Sequence, residues 1–376
     1  MAAPYKIQRS MLPIPHAHSR VAVTWNNATI VWDPIRFYLI HYHISGEWLQ
    51  KETTGYAPWC VSALNNITAE VVDDKIFVVG TPSATVLSLD LNTWTVLSLD
   101  LNTWVWEECK PEGQAPPRSF GKKSWVHKQK IYFFGGGYNA GSSQLFCYDY
   151  SNNCWEWPTQ AGDIPPPKFH HSTMISGDTV FLFGGGKNDL HMLNMEDMRW
   201  KKVHDEMPTG SRLVPYRRGK HTLTRISKSS AVLYGSYRDD GRYYDDSWLL
   251  NINSAKQLKD PSFIWSKIPN HHLRLRHAAV LEPVSKSLWV IGGVDGNSGA
   301  YTSDLLKMSF NLLPLKDLAI DHVARRIDPK DQWLLPNELP RSIKKEIEDY
   351  RAKIGDVNIC SAEAGCQVCQ QNRTEN

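Results

Sequence analysis

Short runs of apolar residues that end in glycine recur along the chain, and their length and composition predict β-strands. The spacing is regular: Gly136 and Gly185 are 49 residues apart, Gly185 and Gly235 are 50 apart, and Gly235 and Gly292 are 57 apart. The four runs are residues 131–137, 180–186, 231–236 and 288–293. A strand that returns about every fifty residues indicates a repeat architecture.

Two weaker copies precede these four, at residues 75–80 and 28–33, which makes six units. After each glycine position the sequence predicts a second short strand, a polar turn, and a tryptophan that opens a further strand. These tryptophans are Trp48, Trp104, Trp155, Trp200 and Trp265. The repeat therefore accounts for part of an unusual composition, because the chain has 15 Trp among 376 residues.

A double glycine and a tryptophan in each unit of about fifty residues resemble the kelch repeat, whose unit is one four-stranded blade of a β-propeller. The resemblance covers residues 5 to about 311 and implies an all-β fold, a six-bladed kelch β-propeller over residues 1–312. The last unit lacks a fourth strand. Because residues 5–13 are similar to the outer strand at 265–269, we expect an N-terminal strand to close the last blade.

The second unit contains an identical duplication, since residues 85–94 repeat letter for letter as residues 95–104. One blade has room for one copy, and both copies present the same face because ten is an even number. We expect the surplus copy to form an extra hairpin or loop. An error in the sequence is the alternative explanation, and neither explanation implies a function.

After Phe310 the apolar period changes from two to 3.6, which predicts a short α-helical tail over residues 313–355. Pro314 begins a first helix, and a second helix carries Ile343 and Ile347 on one face and ends at Gly355. Residues 356–376 are expected to be disordered. Their Cys366 and Cys369, with Cys360, supply three zinc ligands where a closed site needs four, so no metal is predicted there.

The tail resembles the BC-box and cullin box of receptors that bind elongin, at Pro314, Leu315, Ala319 and Val323 and then at Leu335, Pro336 and Leu339. Six kelch units followed by both boxes are similar to the kelch domain-containing substrate receptors, of the kelch domain-containing protein 2 type, of cullin–elongin ubiquitin ligases. The resemblance implies elongin B, elongin C and a cullin scaffold as partners. It assigns partner contacts to Leu315, Leu318, Ala319, Val323, Leu335, Pro336 and Leu339.

Two features leave alternatives open for the tail. Ala319 stands where the BC-box usually has cysteine, a departure that weakens the match to an elongin-binding helix. An amphipathic tail is also explained by simple packing under the propeller.

Charge and hydropathy exclude several classes of partner. Lys plus Arg number 42 and Asp plus Glu 39, and this balance gives no electrostatic reason to expect nucleic acid or an anionic membrane as partner. No segment has the apolar character of a signal peptide or a membrane span, so we expect a cytoplasmic or nuclear protein. Seven scattered cysteines are expected to be reduced thiols.

Members of the resembled family read the C-terminus of a client protein with arginines that follow the fourth unit's glycines. This chain has Gly184 to Leu190 there, without arginine. The remaining basic and aromatic residues nearby are the predicted substrate-binding set: Arg218, Lys220, Arg238, Arg242, Trp248 and Arg276. The alternatives are that a basic residue simply opens each unit, and that neighbouring aspartates such as Asp239 neutralise the arginines.

Signals for catalysis are weak. The glycine-lysine sites lack the Ser or Thr of a phosphate loop, and histidine pairs such as His170 and His171 lack a third nearby ligand, so no cofactor is predicted. The sequence therefore favours a non-catalytic substrate-recognition subunit of a cullin–elongin E3 ubiquitin ligase. Such a subunit binds a client segment, with a C-terminal degron as one candidate. A non-ligase kelch scaffold is the alternative, and a metalloenzyme comes last.

Overall fold

The computed structural model describes residues 5–12, 21–32, 39–55, 67–80, 95–117, 119, 121–137, 141–204, 214–235, 243–244, 246–253, 262–269 and 272–310. The chain divides into two units, one formed by Tyr5–Phe310 and the other by residues 1–4 and 311–376. The described residues all belong to the first unit, and they contain strands but no helix. The predicted helical tail and all its partner-binding residues lie outside the described residues.

Six antiparallel sheets of at least four strands, each sheet one blade, form a β-propeller. Blade 1 consists of β2 (Val21–Trp25), β3 (Ala28–Trp32), β4 (Leu39–Ile44) and β5 (Glu47–Glu52). Blade 2 consists of β7 (Thr68–Val72), β8 (Lys75–Gly80), β9 (Thr95–Asp100) and β10 (Val105–Cys109), with β6 (Thr54–Gly55) parallel to β10. Blade 3 consists of β11 (Lys123–His127), β12 (Lys130–Phe134), β13 (Leu145–Asp149) and β14 (Cys154–Glu156).

The remaining three blades repeat this order. Blade 4 consists of β16 (Ser172–Ser176), β17 (Thr179–Phe183), β18 (Leu190–Asn194) and β19 (Arg199–His204), with β15 (Ala161–Gly162) parallel to β19. Blade 5 consists of β20 (Thr222–Arg225), β21 (Ser230–Tyr234), β22 (Asp246–Asn253) and β23 (Ser262–Pro269). Blade 6 consists of β25 (Ala278–Leu281), β26 (Leu288–Ile291), β28 (Asp304–Phe310) and β1 (Tyr5–Met11), while β24 (Arg274–Leu275) pairs with β27 (Val294–Asp295).

The first strand of the chain closes the ring as the outer strand of the last blade. β1 runs antiparallel to β28, with Tyr5 opposite Phe310 and Met11 opposite Asp304. The backbone N–H of Leu12 also donates to the carbonyl of Ser303 at 2.9 Å. Because β1 satisfies the backbone groups of β28, the last blade has the four strands that its own segment of chain lacks.

The hydrophobic core lies between blades. Each of the six buried clusters draws its side chains from two consecutive blades, and the cluster of Val31, Trp289 and Leu305 joins blade 6 to blade 1. The strands bury residues on both faces because each sheet contacts a neighbour on either side, which explains the continuous apolar runs such as Ile131–Phe134 in β12.

In blade 2, the second copy of the duplicated segment supplies a strand of the sheet. Thr95–Asp100 forms β9, and residues 85–94 lie outside the described residues. Trp104 does not open the outer strand, because it ends the turn with a φ of 63°, like Asn153 and Met198 in the next two blades. Trp106 instead pairs with Leu99 as Trp155 pairs with Tyr148, so the sequence assignment was two residues early.

Candidate functional site

The innermost strands of the six blades surround an axial channel of about 450 Å³, lined by residues of β2, β7, β11, β16, β20 and β25. At the point where the chain enters four of these strands, one residue adopts the left-handed backbone conformation. These four residues, which we call the mouth ring, are Gly121 (φ 72°), His170 (58°), Lys220 (59°) and Arg276 (57°). Bulky side chains rarely hold this conformation, so its recurrence shows that the surrounding structure imposes it.

Backbone hydrogen bonds connect the mouth ring from blade to blade. The N–H of His170 donates to the carbonyl of Gly121 at 2.7 Å, and the N–H of Lys220 donates to the carbonyl of His170 at 3.0 Å. A Cβ on Gly121 would lie 2.8 Å from the backbone nitrogen of His170, so only glycine allows this approach. The ring thus fixes three consecutive blades at one end of the channel.

The mouth ring carries positive charge. Burial lowers the pKa of His170 to about 4, and the charges of Lys220, Lys123 and Arg276 lower it further, which keeps the imidazole neutral. Burial also lowers the pKa of Lys220, again with a contribution from Arg276. These couplings show that cations from blades 3, 5 and 6 lie near one another, although they are far apart in sequence.

Two exposed aromatic side chains contact residues of the mouth ring, one beside Arg276 and one beside the neutral ring of His170. Tyr301 is 37% exposed, and its Oη accepts a hydrogen bond from Arg276 Nη1 at 3.3 Å. Phe169 is 43% exposed and its ring lies 5.2 Å from that of His170, centroid to centroid. A surface that joins exposed aromatic rings to Lys220 and Arg276 can bind a peptide through apolar contact and can pair with its carboxylates.

Behind the mouth ring, a buried cation in each of three blades pairs with an aspartate near the start of the third strand. Lys168 Nζ lies 2.6 Å from Asp189, Arg218 Nη1 lies 2.8 Å from Asp246, and Arg274 contacts Asp304. The pairs are nearly inaccessible to solvent. Removing one partner would leave a buried charge, so these pairs hold the loops that carry the mouth ring.

The structure brings some of the predicted substrate-binding residues together and separates others. Lys220 and Arg276 meet in the mouth ring. Arg218 and Trp248 are buried inside blade 5, where both contact Asp246; the indole Nε1 of Trp248 donates to it at 3.0 Å. They act on the site through the loops they support. Arg238 and Arg242 lie outside the described residues.

Sequence reasoning did not select His170, Lys123, Phe169 or Tyr301 as site residues. The signal for His170 was present, because it occupies the same position before its inner strand as Lys220 and Arg276. Tyr301 had no such signal, since its place beside Arg276 depends on the fold of the loop after β27.

Among the described residues, no group of three or more His, Cys, Asp or Glu side chains is arranged to hold a metal ion. Within the same part of the chain, no helix combines the length and apolar character that crossing a membrane requires.

Comparisons with known proteins agree with the fifty-residue sequence repeat and with the six-bladed propeller. Residues 36–185 match the KLHDC2/KLHL20/DRC7 kelch-repeats domain, and residues 137–315 match the Attractin/LZTR1 beta-propeller. Together with the six blades, these matches support a kelch-repeat β-propeller that resembles the kelch domain-containing proteins. A solved structure, "Structure of YjhT", superposes on this kelch propeller with a TM-score of 0.56 over 79% of this chain and 96% of that chain; at 15% identity it supports the fold alone.

Two curated relatives resemble the kelch propeller in sequence. Kelch domain-containing protein 1 of Mus musculus is 30% identical over 44% of this chain and 40% of its own length. Kelch domain-containing protein 2 of Bos taurus is 26% identical over 36% of this chain and 32% of its own length. The matches span less than half the length of either relative.

Proposed function

We propose that the protein is the substrate-recognition subunit of a cullin–elongin E3 ubiquitin ligase and that the mouth ring, with Tyr301 and Phe169, binds the client segment. The observation that carries the client site is that Lys220 and Arg276 share the mouth ring with two exposed aromatic contacts, Tyr301 beside Arg276 and Phe169 beside His170. The observation that carries the ligase role is the pair of sequence boxes at 314–323 and 335–339 after a kelch propeller.

The proposed mechanism is proximity, and the protein itself breaks no bond. The propeller holds a client while Leu315 enters an apolar groove of elongin C as a helix-in-groove anchor, with Leu318, Ala319 and Val323 on the same face. Leu335, Pro336 and Leu339 contact the cullin. The complex then keeps the client near a ubiquitin-charged enzyme, which raises its effective concentration. The protein would act in the cytoplasm or nucleus.

The charge of the site indicates the chemistry of the client. Lys220 and Arg276 favour a segment with carboxylates, supplied by acidic side chains or by a free C-terminus. Tyr301 and Phe169 favour an apolar or aromatic residue beside the carboxylate. Arg238 and Arg242, which the sequence assigns to the same substrate-binding set, add to this charge in the proposed site.

Co-purification with elongins B and C tests the ligase role. Wild type should capture both elongins, and Leu315→Asp should lose them, because a charge cannot enter an apolar groove. Leu49→Asp is the matched control, since Leu49 is 40% exposed on the outer strand of blade 1. If wild type captures no elongin, the ligase role is wrong and the protein is a kelch interaction scaffold.

A library of peptides with free and amidated C-termini tests the client site. Lys220→Asn and Arg276→Asn remove charge while keeping a residue that tolerates the left-handed conformation. Each should weaken the binding of acidic peptides about tenfold. Arg238→Ala and Arg242→Ala should also weaken this binding if those arginines contact the peptide. Lys51→Asn, an exposed site on blade 1, is the control. Unchanged binding in all four variants would overturn this assignment of the site.

A further inference from the structure

Beyond the mouth ring, the interior of the axial channel has the features of a second binding site. Its volume of about 450 Å³ falls in the range of small-molecule sites, and side chains from all six blades line it. Many of these are polar, including Glu70, Lys123, Ser124, Ser172, Thr222 and His277.

Lys123 is the central observation. Its side chain lines the channel, and among the described residues no hydrogen-bond acceptor or carboxylate lies within bonding distance of its ammonium group. Burial lowers the pKa of Lys123, which the charge of Glu70 only partly opposes. The Lys123 side chain is partly buried in the channel, and an anion bound beside its ammonium group would stabilise the charged form.

The carboxyl group that affects the pKa of Lys123, that of Glu70, already accepts a hydrogen bond. Ser124 Oγ donates to Glu70 Oε1 at 2.7 Å across the boundary between blades 2 and 3. Burial raises the pKa of Glu70 to about 7, so a large fraction of this carboxyl is protonated near neutral pH. A protonated carboxyl cannot neutralise Lys123 and itself becomes a hydrogen-bond donor.

Two residues with hydroxyl groups, Ser172 of blade 4 and Thr222 of blade 5, also line the channel. Ser172 is 2% exposed, and its Oγ has no hydrogen-bond partner among the described residues. Thr222 Oγ1 lies 2.9 Å from His277 Nε2, and burial lowers the pKa of His277 to about 3, which keeps that ring neutral. When His277 Nε2 carries the proton and donates to Thr222, the Thr222 hydroxyl can donate into the channel.

We propose that the axial channel binds a small oxyanion, a carboxylate or phosphate group, between the ammonium of Lys123 and the hydroxyls of Ser172 and Thr222. The group arrives either as a free ion or on an acidic side chain of a segment docked at the mouth ring. Lys220 and Arg276 lie on the approach and attract it. The proposal is separate from the ligase role, because its tests do not involve elongin.

Calorimetric titration of the full chain with inorganic phosphate, with glutarate, and with a glutamate-containing peptide and its glutamine counterpart tests the proposal. Lys123→Met should weaken binding of the oxyanion at least tenfold, and Ser172→Ala should weaken it about threefold. Lys51→Met is the matched control, since it makes the same change on the exposed face of blade 1. Binding of phosphate or glutarate identifies a free ion, whereas Lys123-dependent binding of the glutamate peptide alone identifies a docked segment.

A second measurement works on wild type and does not depend on how Lys123→Met folds. Acetylation of Lys123 by acetic anhydride, quantified by mass spectrometry, should slow several-fold when the bound probe is present, while acetylation of Lys51 should not change. The proposal is overturned if neither free ion nor glutamate peptide binds. It is also overturned if binding leaves the acetylation rate of Lys123 unchanged.

Discussion

Arg9 of the first strand lies 2.7 Å from the buried carboxylate of Asp304, which begins the last strand of the propeller. The same carboxylate contacts Arg274, and Arg274 Nη1 lies 2.5 Å from Asp295. The Asp304 carboxylate therefore contacts both the closing strand and the entry to blade 6, and Arg274 links it to Asp295 in β27.

The first prediction concerns this carboxylate. Asp304→Ala should lower the free energy of unfolding by about 3–5 kcal/mol, because it leaves Arg274 buried with one partner fewer. Arg9→Met should cost only about 0–1 kcal/mol, since the Arg9 side chain is 53% exposed. Urea denaturation measures both. Equal losses in the two variants would show that the buried pair is no more important than the exposed one.

The second prediction concerns the glycines that meet the next blade. Gly184 has a φ of 81°, and a Cβ there would lie 2.5 Å from the His221 ring and 2.8 Å from the Arg218 carbonyl. Gly184→Ala should therefore destabilise the propeller by about 3 kcal/mol or more. Gly177→Ala provides the control, because its φ is 60° but nothing lies within 4 Å, so only about 1 kcal/mol of backbone strain is expected. Similar thermal shifts for both would contradict the close-approach argument.

The third prediction concerns pH. Burial raises the pKa of Glu70 to about 7 from 4.5, so the folded state binds the proton more tightly than the unfolded state. The stability that this proton contributes is fully present below about pH 4.5 and is lost as pH rises through 7. The free energy of unfolding of Glu70→Gln, relative to that of wild type, should therefore rise by roughly 1–3 kcal/mol from pH 5 to pH 8.5. Glu107→Gln, on an exposed site of β10, should show no such gain in urea titrations at the two pH values.

The fourth prediction concerns the duplicated segment. Deleting ten residues, from either copy, produces the same sequence, and β9 can still form from TVLSLD. Four residues, 81–84, would then join β8 to β9, which is within the usual range of short connections. The free energy of unfolding should be unchanged or higher by about 1 kcal/mol, because ten fewer residues connect β8 to β9. A large loss of stability in the deletion variant would show that the first copy contributes to the fold.

The fold was predictable because its signals are local and repeated. Strands that end in glycine marked β12, β17, β21 and β26, and the likeness of residues 5–13 to an outer strand indicated its place in the ring. Trp104 was misassigned because Trp104 and Trp106 are two residues apart, so that either could lie on the same face of an outer strand. Only the four-residue turn after Asp100 shows that the strand begins after Trp104.

The site was less predictable because it depends on which residues meet across blades. Lys220 and Arg276 followed from their basic character, but their closeness to Lys123 is set by the order of blades around the axis. Arg218 looked like a ligand-binding residue in the sequence. Its pairing with Asp246 reflects a contact within the blade that charge alone does not reveal.

Ring closure by the first strand also has a consequence for synthesis. Among the described strands of the propeller, β1 leaves the ribosome before the others, and its partner β28 follows roughly 300 residues later, which takes about 15–60 s at usual rates of translation. Because every core cluster needs two consecutive blades, and the last needs β1, a nascent chain cannot finish its core until Phe310 has emerged.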